Sequence, residues 1–150
     1  MRDIALIAAA APGAEIKDGA LVIEAEILVS SLEGIKNLGG FMLFDICSVD
    51  RLDFFEVSYR LLDMKEDARE VLTVRVMVAK AEPVVPSIKG VWCSADVLER
   101  EVWDLMGISF SGRGRLERIL CKDDFIGHPL RKDFVAPERN RFPEGWEGRR

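Results

Sequence analysis

A chain of 150 residues and 16.8 kDa, 49% hydrophobic and 31% charged, suits one domain that buries roughly 70% of its unfolded surface. That composition excludes a chain disordered throughout. Its richest apolar run, 4–11, has eight residues, against roughly 18 for a membrane-spanning helix, so membrane contact is expected to be indirect. A net charge of -5 argues against a general nucleic-acid binder, yet the charge is uneven. Residues 113–150 hold ten basic and seven acidic side chains, and the first 112 hold 11 and 19. Acids at Asp123, Asp124 and Asp133 break up the basic segment, where a phosphate-tracking stripe clusters its cations. Protein is therefore the expected partner.

In chain order, Met1-Arg2-Asp3 before the apolar run resembles a short signal peptide, but Asp3 cancels Arg2 and a short helix closed by Pro12 is expected instead. Segments 14–17 and 20–26 read as two strands about the turn dipeptide Asp18-Gly19. Ser30 and Ser31 are placed to cap a helix with Leu32, Ile35 and Leu38 on one side, ending at Gly39-Gly40. Apolar or alternating runs at 41–49, 54–62 and 71–79 predict three strands. The charged turn Lys65-Glu66-Asp67 makes them an antiparallel meander. Pro83 and Pro86 are expected to end strand character. Ser94 is placed to cap a helix to about Met106, with Asp96 in its first turn, Gly107 past its end, and Leu98, Val102, Leu105 and Met106 toward the sheet. The fold class is α+β, a mostly antiparallel sheet covered by helices.

The body is thus assigned to 1–112 and an extended docking segment of the same domain to 113–150. The segment shows neither helical nor strand period between Phe125 and Arg150, where it holds three prolines and three glycines. It does carry Phe125, Phe134, Phe142 and Trp146 among arginines, a pairing enriched at interface hot spots. Ordering it costs entropy, so it is expected to order where a partner or the body itself offers grooves for these rings, with simple disorder as the alternative.

Compact nucleotide and zinc signatures are absent. Cys47, Cys93 and Cys121 lie 46 and 28 positions apart, which writes no CxxC knuckle or disulfide framework, and reduced, buried thiols are expected. His128, the one histidine, cannot build the usual zinc site alone. It is read as a packed or surface-capping residue, with a Cys-His pair as the catalytic alternative. The densest polar cluster is Glu99-Arg100-Glu101 with Asp104. Its helical spacing allows an Arg100 to Asp104 pair and sets Glu101 beside Asp104. Such carboxylates serve acid-base chemistry, a solvated face, or arginines such as Arg118 or Arg131 that would clamp the tail.

At this helix the string Glu99-Arg100-Glu101-Val102-Trp103-Asp104-Leu105-Met106-Gly107-Ile108-Ser109-Phe110 resembles the 30-kDa subunit family of respiratory complex I, the proton-pumping NADH:quinone oxidoreductase. Gly112, Leu116, Arg118-Ile119-Leu120 and Gly127-His128-Pro129-Leu130-Arg131-Lys132-Asp133-Phe134 continue it in order. Asp45, Asp50, Val57, Tyr59, Val85-Pro86-Ser87-Ile88, Trp92 and Ala95 are similar upstream. The chain departs at Gly112-Arg113-Gly114-Arg115-Leu116-Glu117-Arg118, where the family usually reads Gly-His-Pro-Asp-Leu-Arg-Arg. Related subunits occur in energy-converting [NiFe] hydrogenases and in deazaflavin-dependent dehydrogenases.

The resemblance implies a noncatalytic subunit of the hydrophilic arm, without catalytic, metal or cofactor-binding residues of its own. Iron-sulfur clusters, flavin or a nickel-iron centre would lie in partner subunits. It implies packing against the hydrogenase-large-subunit-like protein of that arm, on the cytoplasmic, peripheral side of the membrane. Three thiols alone also fall short of four cluster ligands. The expected docking and junction residues are Glu99, Arg100, Glu101, Asp104, Gly107, Arg118, His128, Pro129, Arg131, Lys132, Asp133, Phe134, Phe142 and Trp146. Rivals from other classes are a stand-alone peptide-binding module and a small enzyme using His128 with a cysteine or with Glu101 and Asp104.

Overall fold

A computed structural model describes residues 3–65 and 70–136. Helix α1 (Ile4–Ala9) starts at Asp3, whose carboxylate accepts the Ala5 N–H, and ends before Pro12. Strands β1 (Glu15–Lys17) and β2 (Ala20–Val22) form the expected hairpin. Asp18 and Gly19 both take positive φ, 50° and 72°, which matches the right-handed twist of the flanking strands. β2 stops at Val22, short of the expected 26, because Ala25–Ile27 close a 3-10 turn.

That turn feeds directly into α2 (Leu28–Asn37), which corrects the expected cap. Ser30 and Ser31 lie inside the helix: Ser30 Oγ donates to the Ile27 carbonyl, and Ser31 is buried. Leu28, Leu32 and Ile35 make the buried stripe, while Leu38 falls outside it. Gly39 and Gly40, at φ 73° and 84°, end the helix.

Strands β3 (Phe41–Asp50), β4 (Phe54–Asp63) and β5 (Val71–Ala79) run as an antiparallel meander. With the hairpin they make a five-stranded sheet of order β1-β2-β5-β4-β3, in which only the β2/β5 pair is parallel. Period-2 alternation turns Phe55, Val57, Tyr59, Leu61, Val74 and Val76 to the buried face. Glu66 and Asp67 of the expected turn lie outside the described residues.

β6 (Val84–Pro86) follows Pro83 and includes Pro86, the two prolines expected to end strand character, and pairs in parallel with β7 (Ser109–Ser111). Pro83 contributes as an acceptor, its carbonyl taking the Ser109 N–H. Proline is tolerated in so short an edge ladder because only the missing donor is lost.

Helix α3 (Ala95–Met106) has the expected length, but Ser94 makes no side-chain cap. Ala95 and Asp96 N–H donate instead to the Trp92 and Cys93 carbonyls of the preceding turn. Ala95, Glu99, Val102 and Met106 form its buried seam, and Leu98, Trp103 and Leu105 pack against the core beside it. The hydrophobic core ends at Phe110. The described remainder, 113–136, has no helix or strand and is tied first to α3 and then to β3.

Candidate functional site

Carboxylates at three places on the body receive this strap. Asp104, fully buried near the end of α3, is its centre. Oδ2 accepts three successive backbone N–H groups, from Ile119 at 3.0 Å, Leu120 at 2.8 Å and Cys121 at 2.9 Å. Oδ1 takes the Arg118 guanidinium at 2.5 Å. Burial alone would raise the Asp104 pKa, but these amides and Arg118 together hold it well below the usual carboxylate range. A carboxylate with all its acceptor sites so engaged is an anchor, poorly suited to moving protons at neutral pH.

Arg118 ties the strap to itself as well. It donates to the carbonyls of Phe125 and Gly127, both at 2.9 Å, and lies 5.6 Å from the ring centroids of Trp103 and Phe125. Phe134 stacks on Phe125 with centroids 5.8 Å apart.

The strap also closes the C-terminus of α3, whose last carbonyls lack intrahelical partners. Gly107 adopts the left-handed conformation, φ 72°, and its N–H returns to the Trp103 carbonyl. His128 Nδ1 lies 3.0 Å from the Asp104 carbonyl, so this nitrogen carries the hydrogen and donates. Leu130 N–H donates to the Leu105 carbonyl. A Cβ at Gly107 would stand 2.5 Å from the His128 ring, so glycine here also makes room for the imidazole.

The second carboxylate, Glu99, sits within the buried seam of α3. It accepts from Ser87 Oγ at 2.8 Å, from Ile88 N–H at 2.7 Å and from Arg113 Nη1 at 2.9 Å. Arg113 also pairs with Asp96 at 2.8 Å, which fixes the start of the strap to the first turn of α3. Beside it Tyr59 is fully buried, and its phenol pKa is raised by burial and then by the Glu99 charge. The third, Asp50 at the end of β3, accepts the Lys132 N–H at 2.8 Å and pairs with Lys80 at 2.5 Å. Arg131 lies 5.0 Å from the Phe55 ring centroid on the same side.

Several expected contacts take other forms. Arg100 does not pair with Asp104; it donates to the carbonyls of Glu117 and Arg118, because Asp104 is already filled by the strap. Glu101 is half-buried and joins none of the carboxylate contacts above, so no Glu101 and Asp104 pair is assembled. Arg131 makes a single contact, at 3.2 Å, with the exposed Asp133, where a two-bond clamp is expected. Pro129 and Phe134 are half-buried, while Lys132 is exposed and anchored by its backbone. Phe142 and Trp146 lie outside the described residues.

Cys47 and Cys93 are exposed and Cys121 is half-buried, against the expectation of buried thiols: Cys47 alternates onto the open sheet face and Cys93 sits in the turn before α3. The Cys121 thiol is pushed up by burial and by the Asp104 charge, the wrong direction for a thiolate nucleophile. With Nδ1 of His128 committed to a helix carbonyl, the His128 and cysteine pair is not formed among the described residues.

The family description for the 30-kDa subunit of respiratory-chain NADH dehydrogenase matches residues 21–140. The chain belongs to this family. The C subunit of the NADH-quinone oxidoreductase of Moorella thermoacetica is 42% identical over 130 residues, 82% of this chain and 86% of that one. Its counterpart from Paramagnetospirillum magneticum is 45% identical over 121 residues, 76% of this chain but 59% of the relative, so this chain spans less than two thirds of that longer protein. A trypsin-resistant fragment of Nqo5, residues 1–134, superposes with a TM-score of 0.66 at 32% identity, over 77% of this chain and 100% of the fragment. A chain of the membrane-bound sulfane sulfur reductase, an archaeal respiratory membrane complex, shares the fold with a TM-score of 0.77 at 21% identity, over 96% of this chain and 92% of that one.

In this member of the 30-kDa family the two signature strings make one module, the second capping the helix that carries the first. Sequence reasoning missed Arg113 as the partner of Glu99. It also missed the outward side chains of the strap. Leu120, Ile126, Leu130 and Val135 are 58%, 89%, 60% and 86% exposed. Ile126 and Val135 line one cleft of about 390 Å³ with His128, Arg131 and Phe134. A tally of apolar residues between 113 and 136 would have flagged them, since none has a periodic place in a core.

Proposed function

We propose that this chain is a noncatalytic subunit of the hydrophilic arm of an NADH:quinone oxidoreductase, and that it holds neighbouring subunits in register for electron transfer coupled to ion translocation. The hydrogenase-large-subunit-like protein of that arm is the principal neighbour. Flavin and iron-sulfur clusters belong to such partners, and the complex places the chain at the cytoplasmic face of the membrane. No helix among the described residues is long and apolar enough to cross a membrane.

One observation carries the docking role: the strap turns four aliphatic side chains outward. Arg113, Arg118, His128 and Phe125 engage the body or one another, while Leu120, Ile126, Leu130 and Val135 face outward. Aliphatic side chains grouped on one exposed segment mark an interaction surface. The test is coexpression with the large-subunit-like protein. The double variant Ile126→Asp, Val135→Asp alters two highly exposed side chains and so spares the fold. It is expected to lose copurification while the variant chain stays folded. Unchanged copurification would remove the strap from the interface.

A second reading is favoured by the departure at Arg113-Gly114-Arg115, which breaks the usual family string. It makes the chain the equivalent subunit of an energy-converting [NiFe] hydrogenase or a deazaflavin-dependent dehydrogenase. Copurification with a large subunit that retains its nickel-binding cysteines would select the hydrogenase.

A further inference from the structure

We propose that residues 113–136 form a strap that opens and closes on the body as one unit, with Asp104 as its lock, while the sheet and α3 stay folded. Three features carry this. The strap contributes no side chain to the hydrophobic core, which ends at Phe110. It is fastened by polar contacts at successive places, Glu99 to Arg113, Asp104 to residues 118–121, the last α3 carbonyls to His128 and Leu130, and Asp50 to Lys132. Between them it is tied to itself, because the guanidinium that reaches Asp104 also binds the Phe125 and Gly127 carbonyls, and Phe125 stacks on Phe134.

A segment linked internally but absent from the core has the makings of a cooperative unit of stability below that of the sheet. Arg118 makes the linkage: losing its place on Asp104 frees the loop it organises from 118 to 127. The Asp104 fastening therefore governs the outer one at Lys132, although Lys132 makes no contact with Asp104.

Native-state hydrogen exchange on the full chain tests this at increasing denaturant below the unfolding transition. The amides of Ile119, Leu120, Cys121, Leu130 and Lys132, all hydrogen-bonded across the strap and body junction, are expected to converge on one opening event. That event should be distinct from the slower one of Val57, Tyr59 and Val74 in the sheet. In Asp104→Asn all five strap amides should exchange faster together, roughly ten- to a hundredfold, as loss of a charged hydrogen-bond acceptor implies, with the sheet amides still exchanging through a separate, slower event. Lys132 is the decisive reporter. If it keeps its protection while 119–121 lose theirs, the strap is a set of independent contacts and the proposal is overturned. If strap and sheet amides share one isotherm in the unaltered chain, strap and body are a single unit and it is equally overturned.

Discussion

Asp104 and Gly107 show how the same helix end is made twice over. The last carbonyls of α3 are satisfied by the Gly107 N–H, by His128 and by the Leu130 N–H, so the cap depends on a residue 21 positions beyond the glycine. A methyl group at 107 meets both a left-handed backbone and the His128 ring. Gly107→Ala is expected to lower the unfolding free energy by about 1–2 kcal/mol from the backbone alone, measured in urea. It should also shift the His128 ring resonances, which a purely local backbone cost would leave in place. The sequence offered both Arg118 and Arg100 to these carboxylates; the structure forms the Arg118 pair with Asp104 and gives Arg100 to strap carbonyls. Helical spacing offers Arg100 to Asp104 at the favoured interval. Tertiary contact overrode it, because three amides and a second arginine arrive from a segment whose path no local period records.

At the level of elements, α2 and α3 separate what propensity decides from what context decides. Both helices carry serines near their starts, yet neither makes the expected side-chain cap, since a 3-10 turn or a hydrogen-bonded turn already delivers the backbone acceptors. Ser94→Ala should therefore change stability by no more than about 0.5 kcal/mol, where loss of a working cap costs about 1 kcal/mol. Gly34 gives the opposite lesson. A Cβ there would stand 1.9 Å from the Ala10 carbonyl oxygen, where the chain after α1 crosses α2. Gly34→Ala is expected to destabilise by about 1–3 kcal/mol through overpacking, despite the better helix propensity of alanine. Thermal unfolding of the two variants side by side checks both. The meander, the hairpin and the extent of α3 were legible because alternation, Asp18-Gly19 and Gly107 are local signals. The β6/β7 ladder was hidden, since its strands are three residues each and one ends in proline.

Across the whole molecule, acid acts through the fastenings of the strap. Asp104 and Asp50 both have folded pKa values pushed down: burial opposes ionisation at each, and hydrogen bonds to Arg118 and backbone amides, or to Lys80 and the Lys132 amide, outweigh it. A depressed carboxylate stabilises the fold fully above its unfolded pKa of about 4 and loses that contribution as pH falls toward its folded value. Stability in urea is therefore expected to be nearly level from pH 7 to about pH 5 and to fall steeply below about pH 4. In Asp104→Asn that acid limb should be shallower; an equally steep limb would place the loss elsewhere.

The sheet has one further property that bears on its company. β3 lies at the margin of the five-stranded sheet, and Phe44 is an extra residue there, since Leu43 pairs with Leu61 and Asp45 already with Arg60. A foreign strand laid along that margin would lose step at Phe44, so ribbon-like stacking of one molecule on the next is discouraged. Along this edge, neighbours are left to grip the protein by its side chains.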